Sequence, residues 1–180
     1  VNGVAGPPGV THCDRCGGTL EARLVGDRHR PVCTACGRVR YFNPAVGVAV
    51  VVRDDDGNVL LGRRAGSYAG QWCIPCGYVE WDEEVRSAAA REFAEETGLH
   101  VVVGDVVAVH SNDHNPAQHT VGIWFAGTVI GGALCAGDDL DDVGFFPPLD
   151  PPGPLAFPTD ALVLERLAAT GRPEPARRQD

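Results

Sequence analysis

Three glutamates, Glu92, Glu95 and Glu96, lie in a stretch from 82 to 97 that contains neither glycine nor proline and is followed by Gly98. Such a stretch reads as a helix, with the glycine as the left-handed residue just past its end. At about 100° per residue, Val85, Ala88, Ala89 and Phe93 fall on one inward face. Glu92 and Glu96 project along the same direction and Glu95 lies one position to the side, so the inward stripe turns acidic over its last turns. Helix physics disfavours this arrangement. Like charges four apart cost about 0.2–0.5 kcal/mol, and carboxylates near a helix C-terminus oppose the macrodipole by up to about 1 kcal/mol more. Unpaired burial costs far more. A hard divalent cation among the three offsets these terms, because Mg²⁺ and Mn²⁺ prefer oxygen ligands. A bare Glu-x-x-Glu-Glu is equally an ordinary solvated helix face, so the flanking residues have to decide.

Those residues run Gly77, five residues, Glu83, seven residues, then Arg91-Glu92-Phe93-Ala94-Glu95-Glu96-Thr97-Gly98-Leu99. The run resembles the Nudix box, G-x5-E-x7-R-E-U-x-E-E-x-G-U, at every fixed position, with Phe93 where an aliphatic residue is usual. Trp72, Pro75, Gly77 and Glu80 are similar to the strand leading into that box, and residues 45 to about 150 have a Nudix domain's length and order. The resemblance implies a Nudix-type α/β/α sandwich with Glu92, Glu95 and Glu96 as ligands of catalytic Mg²⁺ or Mn²⁺. Gly77 would lend its backbone carbonyl, and Arg91 with Glu83 would form a charge pair that fixes the box loop against the helix. The implied reaction is hydrolysis of a nucleoside diphosphate linked to another moiety, water displacing one phosphate at phosphorus. A diphosphate repels hydroxide, and divalent cations offset that repulsion while acidifying a bound water.

Seven cysteines stand at 13, 16, 33, 36, 73, 76 and 135. Cys13-Asp-Arg-Cys16 and Cys33-Thr-Ala-Cys36 are two C-x2-C knuckles separated by 16 residues, each followed by glycine, which is the spacing of a zinc ribbon. A module of about 30 residues has too little core to fold without its metal, so structural Zn²⁺ on Cys13, Cys16, Cys33 and Cys36 is expected. Cys73-Ile-Pro-Cys76 is a third C-x-x-C. In an extended segment residues three apart face opposite sides, so this pair reads as inert loop or core thiols, and Cys135 as a lone buried or inert one.

The elements that must position these groups follow from composition and pattern. The 180 residues allow one ordinary domain with a small extra module, and the balance of 15 basic against 24 acidic residues argues against a nucleic-acid-coating role. The divisions expected are a flexible leader over 1–11, a zinc ribbon over 12–40, a Nudix domain over 41–150, a C-terminal segment with a short helix over 151–170 and a tail over 171–180. The nearly continuous apolar run 45–53 reads as a strand buried on both faces, and Asp55-Asp56-Gly57-Asn58 as the turn of a β-hairpin returning over 59–63. Later strands are expected over 101–110, 120–129 and 143–146, and a helix capped by Thr159 running to about Thr170. Strands around one early helix give an α+β fold.

A four-cysteine ribbon followed by Tyr41 and Asn43-Pro44 is similar to NADH pyrophosphatases and to ribbon-bearing ADP-ribose or FAD pyrophosphatases. The Ser-Gln-Pro-Trp-Pro-Phe-Pro run of the first group is missing after the box, and Leu155-Ala156-Phe157 is similar to the second. ADP-ribose or FAD is therefore the expected substrate, with NADH, an NAD cap or CoA as alternatives. A catalytically idle nucleotide sensor and a zinc-ribbon nucleic-acid-binding module are more distant ones. Arg63 and Arg64 end a strand and could reach a phosphate. Asp139 and Asp142 are candidates for an auxiliary loop carboxylate acting as general base, and His114 and His119 read as exposed. No apolar run approaches the roughly 18 residues that cross a bilayer, so a cytoplasmic protein with a small nucleotide as partner is expected, a homodimer being left open.

Overall fold

The computed structural model describes residues 9–170, so the expected leader lies mostly, and the expected tail wholly, outside the described residues. The chain forms two compact units, one built from the residues up to Ala45 with Asp113–Thr120, the other from Val46–Asn112 with the residues from Val121 onward.

In the first unit, β1 (Leu20–Val25) and β2 (Arg28–Cys33) form an antiparallel hairpin with Leu20 opposite Cys33 and Val25 opposite Arg28. The turn needs a residue at positive φ, which Gly26 supplies at 65°. Val32 and Cys33 are buried, and most of β1 is exposed. An apolar area this small cannot hold the module together, which leaves the knuckles to do it.

The second unit is α+β. Strands β3 (Ala45–Val51), β4 (Val59–Arg64), β5 (Trp72–Cys73), β6 (Cys76–Tyr78), β7 (Leu99–Asn112), β8 (Thr120–Gly132) and β9 (Leu140–Phe146) surround helices α1 (Val85–Thr97) and α2 (Pro158–Thr170). The strands divide into a four-stranded sheet ordered β6-β3-β8-β7 and a three-stranded sheet ordered β5-β4-β9. The expected hairpin of β3 with β4 is thus corrected. Its turn closes through Asp54 N–H to Asn58 O (3.0 Å) and Leu60 N–H to Val52 O (3.0 Å), but beyond these bonds the strands join different sheets. A local turn signal reports the reversal of the chain, whereas pairing is decided by β9, which takes β4 along Val59 to Arg64.

The apolar run of β3 is buried on both faces, as its composition requires. Val48, Val50 and Val52 pack with Leu60, Phe125 and with Ala88, Ala89 and Phe93 of α1. Ala49 and Val51 point the other way, to Trp72, Trp124 and to Val163, Leu164 and Leu167 of α2. Alternation along a strand thereby produces an α/β/α layering.

Helix α1 begins later than the glycine-free stretch because Glu84 caps it, accepting from Arg86 N–H (2.8 Å) and Ser87 N–H (3.0 Å). It ends at Gly98, whose φ of 69° and bond to Ala94 O (2.9 Å) make the expected left-handed cap. In α2 the first position is Pro158, so Thr159 is not the cap but a buried first-turn residue donating to Asn112 Oδ1 (2.5 Å). Cys135 is exposed, contrary to one reading of it, because its backbone N–H is tied to Thr97 O (2.9 Å) on a strand-free segment that leaves the side chain outside.

Asp160 is 2% exposed and accepts from Ile74 N–H (3.0 Å) and Trp124 Nε1 (3.1 Å). Burial pushes its carboxyl up to about 7 from an ordinary 3.8, against these two donors and the field of Arg64. A raised folded value means that the neutral acid is preferred in the fold, so the associated stability is complete below about pH 4 and is lost as pH rises through about 7. Asp160→Asn is expected to flatten the fall in urea-unfolding free energy across that interval. A slope equal to that of the parent chain would overturn the assignment.

Candidate active site

The loop from β6 into α1 brings Gly77, Glu83 and Arg91 together. Arg91 donates through Nε to Glu83 Oε1 (2.9 Å) and through Nη2 to Glu83 Oε2 (2.8 Å), a two-pronged pair that also reaches Tyr78 O (3.2 Å). Arg91 holds the Glu83 carboxyl below its ordinary value. Both residues therefore bind the loop to the helix.

The same guanidinium uses Nη1 to hold Glu92 Oε1 (2.9 Å) and Glu95 Oε2 (3.1 Å). Glu96 instead turns inward, 1% exposed, and accepts from Cys76 N–H (2.7 Å). Among the described residues, only the four cysteines bring three or more ligand atoms within 4.8 Å of one another. The three glutamates do not, because Arg91 engages two of them while the β6 backbone engages the third.

Three features nevertheless suit a divalent cation at this helix face. First, burial pushes Glu96 up to about 10, with Cys73 and Asp139 nearby adding to the effect, so this carboxylate is destabilised unless a positive charge joins it. Second, the Asp139 carboxyl lies beside Glu96, and its Oδ1 is buried without a hydrogen-bond partner. Third, Gly77 is open where any Cβ would collide with the Glu92 carboxylate, so glycine makes the space that Glu92 occupies. All of these are hard oxygen donors, matching Mg²⁺-like cations and not soft ones.

The Gly77 observation has a direct consequence. Gly77→Ala is expected to leave the fold intact, since the obstructing atoms belong to a flexible side-chain end. By displacing Glu92 it is expected to lower kcat/KM about a hundredfold, about 2.7 kcal/mol of transition-state stabilisation. Unchanged kinetics with parental thermal stability would remove Glu92 and Gly77 from the site.

The remaining expected residues divide clearly. Asp139 is against Glu96 and paired with Arg64, whereas Asp142 is exposed and approaches only Arg63 Nη1 (3.6 Å). Arg63 donates to Asp141 Oδ1 (2.7 Å) at the half-exposed end of β4. His114 and His119 are exposed. Cys73 and Cys76 do not face opposite sides as an extended segment would make them. Ile74-Pro75 is the crossing from one sheet to the other, and it turns the two thiols toward each other beside Glu96 and Arg64. Sequence reasoning missed Asp160 altogether. A proline at the first helical position followed by an acid in the first turn signals a helix start, but nothing local signals burial.

In the ribbon unit, Cys13 Sγ and Cys36 Sγ are 3.8 Å apart, and Cys16 Sγ and Cys33 Sγ 3.5 Å. The Cys36 backbone N–H pulls the Cys33 thiol down to about 6, against burial, which favours the thiolate a metal needs. Gly18 leaves the room that Cys33 and Cys16 require. Four sulfurs within 4.8 Å of one another form a donor set suited to zinc, which takes four thiolates tetrahedrally.

Two family models match the chain. The family model described as NUDIX domain matches residues 43–167, and that described as Nudix N-terminal, a zinc ribbon, matches residues 11–42. The chain is 37% identical over 128 residues to an ADP-ribose pyrophosphatase of Methanocaldococcus jannaschii, covering 71% of this chain and 75% of that one. It is 34% identical over 89 residues to the NAD-capped RNA hydrolase NudC of Photobacterium profundum, covering 49% of this chain and 32% of that one. Among solved structures, a NUDIX hydrolase from Nitrosomonas europaea superposes with a TM-score of 0.74 at 30% identity, covering 91% of this chain and 94% of that one. An ADP-ribose pyrophosphatase from Streptococcus suis superposes with a TM-score of 0.60 at 25% identity, covering 74% and 96%.

Proposed function

The chain belongs to the NUDIX family, as a divalent-cation-dependent pyrophosphohydrolase of small nucleotides with an N-terminal zinc ribbon, and from that premise we propose that it cleaves ADP-ribose or FAD. The observation that carries the substrate is the similarity to the archaeal ADP-ribose pyrophosphatase along three quarters of that protein's length.

In this reading Glu92, Glu95 and Glu96 hold Mg²⁺ or Mn²⁺ with the Gly77 carbonyl, and Glu83 and Arg91 keep the loop and helix in register. The cation supplies charge neutralisation of the diphosphate and a more acidic water. Asp139, not Asp142, is the loop carboxylate, because it lies beside Glu96 and its Oδ1 is buried without a partner. Asp139 Oδ1 accepts the proton of the attacking water, whose oxygen bonds to one phosphorus while the bond from that phosphorus to the bridging oxygen breaks. AMP and the monophosphate of the other moiety leave. Structural zinc occupies Cys13, Cys16, Cys33 and Cys36.

A second reading is supported by the match to the NAD-capped RNA hydrolase, in which case NADH would be the better small substrate. Measuring kcat/KM for ADP-ribose, FAD, NADH and CoA at fixed Mg²⁺ separates the two. ADP-ribose or FAD is expected to lead, and a preference of about tenfold for NADH or CoA, about 1.4 kcal/mol, would overturn the assignment.

A further inference from the structure

Arg64 closes β4 with a side chain only 10% exposed. Each of its three nitrogens already faces a protein group. Nη2 pairs with Asp139 Oδ2, Nε donates to Ser67 O (2.8 Å), and Nη1 lies 4.0 Å from Cys73 Sγ. The guanidinium also sits 5.4 Å from the centre of the Phe157 ring, which covers it from α2's leading segment. An arginine so enclosed has no fork left for a phosphate.

What Arg64 does hold is a junction of two loops. Ala65 N–H donates to Asp139 O (2.8 Å), and Gly70 N–H donates to Arg64 O (2.8 Å), so the segment between β4 and β5 is stitched to the segment before β9. These two segments contain Tyr68 (φ 61°) and Asp138 (φ 49°), the non-glycine residues with positive φ among the described residues. A left-handed residue other than glycine is strained, less so for aspartate, and persists only where its surroundings over-determine it. Here both flank one ion pair. The result is an asymmetric carboxylate beside Glu96: Asp139 Oδ2 is engaged by Arg64, while Oδ1 is buried and without a partner.

We propose that Arg64 is a positioning residue and not a phosphate ligand: by engaging Oδ2 and joining the two strained loops, it fixes the Asp139 carboxyl beside Glu96 with Oδ1 free to accept a proton. The inference rests on the reading of Asp139 as the proton acceptor. Losing Arg64 frees Asp139 to rotate toward solvent, which slows the chemical step and leaves substrate binding alone.

The test is a double-mutant cycle of R64Q and D139N in the full chain with Mg²⁺, using whichever of ADP-ribose, FAD, NADH and CoA is turned over fastest, together with crystal structures of the folded variants. R64Q is expected to lower kcat about thirtyfold or more with KM within about threefold, and R64Q/D139N to be no slower than the slower single variant. R64K keeps the ion pair and is expected to recover part of kcat. In the R64Q crystal, or in R64K if R64Q does not fold, the Asp139 carboxylate is expected to have turned away from Glu96. A raised KM with kcat retained, effects that multiply in the double variant, or an Asp139 carboxylate unmoved in the crystal would each overturn the positioning role. Full activity in D139N alone would instead overturn the reading of Asp139, so the two failures are distinguishable.

Discussion

Glu96→Gln is expected to lower kcat/KM by about a thousandfold or more, about 4 kcal/mol, while raising the melting temperature. The two effects have one cause. Glu96 is a buried carboxylate whose neutral form the fold prefers, set against the bare Oδ1 of Asp139. Glutamine keeps its shape: the amide oxygen accepts the Cys76 N–H as Glu96 Oε2 does now, and the amide nitrogen donates to Asp139 Oδ1. At neutral pH the fold no longer has to take up a proton in order to bury this side chain, so it gains stability. The charge that a cation requires is gone, and turnover falls. Such opposition between stability and activity is what a carboxylate retained for function produces. Thermal unfolding and steady-state kinetics on the same preparation check it. Retained activity in a folded variant would remove Glu96 from the chemistry, and a lowered melting temperature would show that the buried charge is satisfied in some other way.

Brief treatment with EDTA is expected to abolish turnover completely, with recovery on adding Mg²⁺ or Mn²⁺, while zinc remains bound throughout. The contrast follows from the two donor sets. The four cysteine sulfurs lie within 4.8 Å of one another, and a thiolate cage with no open position releases its metal slowly. The glutamates are hard oxygen donors, two of which rest on Arg91 and must leave it to reach a cation, so that cation exchanges readily. Prolonged chelation with a thiol-modifying reagent is expected to remove the zinc and melt the ribbon, because its hairpin has little apolar burial of its own. Metal analysis alongside the assay decides the matter. Activity that survives EDTA, or zinc lost as fast as activity, would contradict the assignment of two separate metals.

The glycine-free helix with its Gly98 cap, the two knuckles and the run from Gly77 to Leu99 are periodic or fixed-spacing features, and local sequence determines them because they depend on neighbours a few residues away. The same holds for the strand character of 45–53, whose alternate side chains reach both helices. The reach of Arg91 to Glu83 followed from the resemblance, and the loop geometry supplies its reason.

Tertiary structure alone decided which strand pairs with β4. It also left Asp142 exposed, engaged Arg64 with Asp139, and turned Cys73 toward Cys76. Each depends on segments far apart in sequence: Arg64 and Asp139 are separated by 75 positions, Ile74 and Asp160 by 86. Burial is the common reason. Whether a carboxylate oxygen is solvated or stripped of water is set by which elements close over it, and the buried Oδ1, not the residue type, separates Asp139 from the exposed Asp142 in the same acidic run.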